Sequence, residues 1–188
     1  MFAILRRPAA VLAALATVLA TIGTLTVGVA DAAATPYCGI RWGSLPRAAG
    51  TASEHPLGAV RTGRHQCFDR VVFELDGPAD GYRVAYVARL RSDGDGRVLP
   101  TAGGAVLRVH LEANVFDQLG HLHYPRLPGE HVGAVGGYRT LRDVVYAGCF
   151  EGTTTFGVGV RGRLPFRVFH LSGPGSHSRI VLDVAHRW

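Results

Sequence analysis

Along residues 68 to 91 apolar and polar side chains take turns. Val71, Phe73 and Leu75 alternate with Arg70, Val72 and Glu74. Asp76-Gly77-Pro78 interrupts, and Tyr82, Val84, Tyr86, Ala88 and Leu90 then alternate with Arg83, Ala85, Val87 and Arg89. A period of two marks a strand with one buried face, so this stretch predicts strand, turn, strand. Ser92-Asp93-Gly94-Asp95-Gly96 is expected to be a hairpin turn rather than a calcium loop, since no distal Glu or flanking helix accompanies it. Leu107, Val109, Leu111 and Ala113 alternate with Arg108, His110 and Glu112, another strand with one wet face. A strand is expected at 142–147. In Phe156, Val158 and Val160 the intervening face is reduced to Gly157, Gly159 and Arg161, which suggests close approach of a neighbour. Residues 166–171 and 179–184 complete a hairpin-like pair.

Two stretches break the alternation. Residues 35–66 mix Gly, Pro, Arg and Ser without period and read as an extended, strandless arm draped on the domain. Residues 114–137 gather Gly, Pro and His in a long loop of the kind that is often functional or mobile. No segment after position 35 keeps a 3.6-residue period over ten residues, so at most one or two short helices are expected, within 113–145. Near the end of the chain "RVFHLSGPGSHSRI" echoes "VVFELDGPADGYRV". Val72, Phe73, Leu75, Gly77, Pro78 and Arg83 recur as Val168, Phe169, Leu171, Gly173, Pro174 and Arg179. The expected fold is all-β: a compact β-sandwich of two small sheets with an internal hairpin repeat, each unit burying its apolar face against the other.

The leader changes where this fold is expected to work. Arg6 and Arg7 precede an uncharged stretch from Pro8 to Ala30, and Ala30-Asp31-Ala32 and Ala32-Ala33-Ala34 fit signal-peptidase sites, so 1–34 reads as a signal peptide, 35–66 as the arm and 67–188 as the sandwich domain. Export follows, with membrane attachment only if the leader is not cleaved. The chain contains no Lys, and 20 Arg against 14 acidic residues give a net charge of +6. Outside the cytoplasm that charge favours anionic surfaces over nucleic acid. Export also places Cys38, Cys67 and Cys149 in an oxidising compartment. We favour a Cys38–Cys67 bridge, which ties the arm to the domain, and read Cys149, inside the apolar run 144–150, as a buried free thiol.

Arg70 to Leu75, the Gly-Pro turn, Leu164 to Leu171 and Arg179 to His186 together resemble the AMIN-like domain of exported actinobacterial proteins, a relative of the AMIN domain found beside cell-wall amidases and secretins. The resemblance covers about Cys38 to Trp188. It implies a β-sandwich of two symmetric sheets, no catalytic activity, no cofactor, and attachment to peptidoglycan or an associated anionic wall polymer. A protein partner in the envelope is the alternative; a small cell-wall hydrolase comes third.

Candidate chemistry is sparse. His110, His121 and His123 are the one histidine cluster to test as metal ligands, but their spacing matches no standard site, and no metal is expected. Asp69, Glu74, Glu112, Asp143, Glu151 and Asp183 could serve acid-base hydrolysis, yet each falls where a strand is polar anyway, and Asp183 with His186 reads as a strand-end ion pair rather than a dyad. Arg108, His110, Arg161, Arg163, Arg167 and Arg179 are the expected ligand-binding residues, because guanidinium forks grip carboxylates and phosphates bidentately.

Overall fold

The computed structural model describes residues 36–188. The expected signal peptide, 1–34, lies outside the described residues. Among them the only helix is a single 3-10 turn at Tyr37–Gly39, and no helix is long and apolar enough to cross a membrane. Eleven strands follow: β1 (Arg47–Ala49), β2 (Leu57–Arg64), β3 (Phe68–Leu75), β4 (Tyr82–Val87), β5 (Leu90–Arg91), β6 (Val98–Leu99), β7 (Ala105–Leu111), β8 (Leu141–Phe150), β9 (Thr153–Val160), β10 (Phe166–Ser172) and β11 (Ser178–Ala185). They form a five-stranded antiparallel sheet, β1-β4-β7-β9-β8, a four-stranded one, β10-β11-β3-β2, and a two-stranded ribbon, β5-β6. The expected all-β sandwich of two sheets is what the chain builds.

The alternation explains the packing. Val71, Phe73 and Leu75 are sealed on the inner face of the four-stranded sheet, and Leu107, Val109, Leu111, Phe156, Val158 and Val160 on that of the five-stranded sheet. Each such side chain contributes roughly 1.5–3 kcal/mol by leaving water. The Phe73 and Phe156 rings meet across the interface with centroids 5.1 Å apart, and Tyr146 packs on Phe156 at 5.4 Å. Gly157 and Gly159 do admit a neighbour: Leu90 lies over the first and the Ala102 carbonyl over the second. The β5–β6 hairpin thereby covers the outer face of that sheet, burying Leu90 and Leu99 with Val145 and Ala147.

Two expectations meet a different arrangement. The stretch 35–66 is not strandless: it supplies β1, which pairs with β4, and β2, which pairs with β3, while Gly43 bridges to Phe166. Its alternation is weak because β2 is an edge strand with a register shift between Leu57 and Ala59, and edges tolerate Gly and Arg. The sandwich therefore begins ahead of residue 67.

The echoed phrases also take unlike paths. Gly173 adopts φ +81° and its N–H reaches the His177 carbonyl at 2.7 Å, closing β10 onto β11 as a hairpin. Gly77 instead abuts the His55 ring, and the buried Ser178 hydroxyl donates to the Gly77 carbonyl (2.6 Å) and accepts from the Ala79 N–H (3.0 Å). These bonds lead the chain from β3 into β4 of the opposite sheet. Both copies' first strands flank β11, but Phe73 stands level with Ile180 and His170, not Phe169. A slip of one residue exchanges the faces of a strand. Phe73 is thus buried in the core and Phe169 faces outward, so the echo is a likeness of sequence and not a doubled hairpin.

The long segment after β7 contains no helix and is pinned down. Tyr124 packs edge-on to Tyr146 and Phe156, and Val115 and Val132 are buried. The Gly129 and Val132 N–H groups donate to the Tyr146 (2.8 Å) and Val144 (2.7 Å) carbonyls, covering the exposed edge of β8. The Cys38–Cys67 disulfide is formed, and Cys149 is free and half-buried.

Candidate functional site

The outer face of the four-stranded sheet collects charge and aromatic surface in rows set by strand register. One row reads Arg167, Asp183, Arg70, Gly63; the next Phe169, Val181, Val72, Arg61; the next Leu171, Arg179, Glu74, Ala59. In the first row Asp183 is fully buried and accepts from Arg70 Nε (2.6 Å) and Nη2 (2.9 Å) and from Arg167 Nε (2.8 Å). One carboxylate thus holds two guanidiniums and leaves a surplus of one positive charge. Arg167 lies over the rings of Trp42 (5.6 Å), Phe68 (5.4 Å) and Phe169 (4.9 Å), and Arg70 over Phe68 (5.2 Å) and Phe169 (5.5 Å). Each such contact is worth about 0.5–2 kcal/mol. Half-buried aromatic rings beside a cationic surplus suit a ligand that joins an apolar ring face to an anionic group.

At the other end of the same face Arg61 Nε binds Glu74 Oε1 (2.9 Å). Arg179, directly opposite Glu74 in register, makes no ion pair among the described residues, and its Nε is shut from solvent without an acceptor. An orphaned buried donor ordinarily costs about 1–3 kcal/mol. Here the sheet runs into a groove of ≈ 600 Å³ lined by Arg61, Glu74, Asp76, His123, His177 and Arg179. His123 Nδ1 lies 2.8 Å from Asp76 and its Nε2 3.2 Å from Asp117, while His121 shares Asp117 at 3.0 Å. The hydrogen bonds to Asp76 first and Asp117 second hold His123 above the usual histidine range. Asp117 is held well below the ordinary carboxylate range, chiefly by the His121 N–H.

The expected binding residues fall in three places. Arg167 and Arg179 share the face just described. Arg108 and His110 lie on the outer face of the other sheet, beside Arg47 and Arg83 in a cleft of ≈ 270 Å³. His110 meets the Thr155 hydroxyl at 3.0 Å, and burial first, then Arg108, pulls its imidazole below the usual range. Arg161 donates to the His186 carbonyl, and Arg163 stacks 4.7 Å over the Tyr86 ring, so both secure the chain end and the β9–β10 connection. His110 belongs to β7, His121 and His123 to the segment after it, and no metal-holding group of three or more ligands occurs among the described residues. His186 pairs with Asp69 (3.1 Å), not Asp183, and Asp69 also accepts the Leu141 N–H at 3.1 Å. Asp143 binds His131 (2.7 Å) and the Ala102 N–H (2.9 Å), and Glu112 binds Arg83. Arg70, Arg61, Trp42 and Phe68 joined no candidate set. The alternation of β3 places Arg70 outward, but only its register against β11 brings it to Asp183.

A family model described as "AMIN-like domain" matches residues 55–186. No curated protein and no solved structure matches the chain.

Proposed function

Because the chain belongs to the AMIN-like domain family, a cell-envelope related group, we propose that it is an exported, non-catalytic envelope protein that binds peptidoglycan or an associated anionic wall polymer. The observation that carries the reading is the Arg70–Asp183–Arg167 row with its aromatic border on an outer sheet face. The Cys38–Cys67 disulfide fits an oxidising, extracytoplasmic site. The net charge of +6 favours an anionic matrix.

Sedimentation of the purified protein with insoluble cell wall tests this. We expect retention at low salt, release as salt rises through the range where the Debye length shortens to ~8 Å, and weakened retention for R167Q. Protein wholly in the supernatant at low salt overturns the reading. A second reading, docking on an envelope protein, draws on exposed Phe116, Leu119 and Leu122 in the segment after β7, of which Leu119 is 81% exposed. It expects wall-independent co-purification lost in L119S.

A further inference from the structure

We infer that the groove at the β10–β11 turn is an oxyanion subsite, in which the Arg179 guanidinium grips one carboxylate or phosphodiester group of the ligand. The inference deepens the wall-binding reading and takes its ligand class from it.

Neighbouring acids and bases on antiparallel strands normally pair with each other. Glu74, opposite Arg179, is taken by Arg61 from the far side, and Asp76 is taken by His123 at 2.8 Å and by His177 at 3.5 Å. Both acids of the groove are therefore committed while Arg179 is not, and its Nε–H faces no acceptor. The Nε itself is closed to solvent and therefore to a ligand oxygen, so it is the terminal nitrogens of the Arg179 fork, in the lining of the open groove, that can meet one. A volume of ≈ 600 Å³ accommodates such a group with the chain that carries it. Charge does not oppose this: among the groove residues Arg61 and Arg179 balance Glu74 and Asp76, and His123 is held between Asp76 and Asp117. An anion is held there by a fork that needs no competing partner displaced.

The subsite also has a distance built into it. Arg179 lies four residues along β11 from Asp183, which carries the Arg70 and Arg167 pair. At the rise of a β-strand that is about 13 Å. Phe169 and Val72, in the one row between them, supply apolar surface over the span. The face is therefore suited to a polymer whose anionic groups recur at that spacing with apolar ring surface between.

The test uses ¹⁵N-labelled protein and follows the Arg179 Nε–Hε signal, identified by its absence from R179K. Three probes are added separately: N-acetylalanine, its amide, and dimethyl phosphate. We expect the signal to move saturably with the carboxylate or the phosphodiester and to ignore the amide; the anion that acts at lower concentration names the source, wall peptide or phosphate polymer. In R179K, which keeps the charge but not the fork, backbone signals of Gly173 and Ser176 should report binding weakened about tenfold. If neither anion moves the signal, or R179K binds as well as the parent, the subsite is overturned even where the protein sediments with wall. If an anion moves it while the protein stays off the wall, the subsite stands and only the wall reading falls.

Discussion

Replacing Asp183 by Asn removes one charge and no volume, so it isolates the electrostatics of the outer face. The Asp183 side chain is 0% exposed, whereas those of Arg70 and Arg167 keep 23% and 33%. Stripping one partner from a wholly buried ion pair costs about 3–5 kcal/mol, because the remaining charge is left uncompensated. Here solvent still reaches part of both guanidiniums, which lowers the cost, while the two cations are left facing each other, which raises it. We expect D183N to lose about 2–3 kcal/mol, equivalent to a fall in Tm of roughly 4–12 °C for a domain of this size. Urea unfolding followed by tryptophan fluorescence, to which Trp42 beside Arg167 and Phe68 contributes, reads the change. The double substitution D183N/R167M should lose less than the sum of its parts, since it removes one of the repelling cations. A loss under about 0.5 kcal/mol with an unchanged denaturant slope would refute the claim that Asp183 neutralises a strained pair of arginines.

Three further outcomes follow from the same structure. Converting Cys38 and Cys67 together to Ser opens a loop with a sequence separation of 29 and should lower stability by about 3–4 kcal/mol; unchanged urea midpoints would show that the arm is held by other contacts. Gly159→Ala drives a methyl into the Ala102 carbonyl, a backbone atom that cannot step aside, so the β5–β6 hairpin should lift from the sheet and its amides exchange faster, with about 1–3 kcal/mol lost; parent-like exchange contradicts the packing. His123, raised by Asp76 and Asp117, stabilises the folded state fully below its unfolded pKa of about 6.5 and loses that contribution as pH climbs through the folded value. The stability gap between parent and H123A should therefore narrow from pH 6 toward pH 9, and a constant gap would show that the imidazole contributes by packing alone.

How much of this was legible beforehand differs by element. Val71, Phe73 and Leu75, or Phe156, Val158 and Val160, announce strand and inward face through a period of two, because a pleated strand turns alternate residues to opposite sides whatever its neighbours are. The bare face at Gly157 and Gly159 correctly signals close approach, and two sheets follow from several amphipathic strands with no helical period. The Cys38–Cys67 bridge was legible too, favoured because both cysteines sit at the polar N-terminal end, where a bridge ties the arm to the domain.

Pairing and register lie beyond such local signals. Nothing next to Gly77 reveals that its Gly-Pro turn crosses between sheets while the one at Gly173 closes a hairpin; the difference rests on His55 and Ser178, both distant along the chain from Gly77. Arg167 and Arg179 could be read as exposed cations, but not that Asp183 sits beneath the first with Arg70, or that Glu74 turns away from the second. Those choices depend on which residue of β3 stands opposite which residue of β11. A shift of one position would exchange the two faces, so the inner row of apolar side chains, by demanding burial, determines where every outer charge falls.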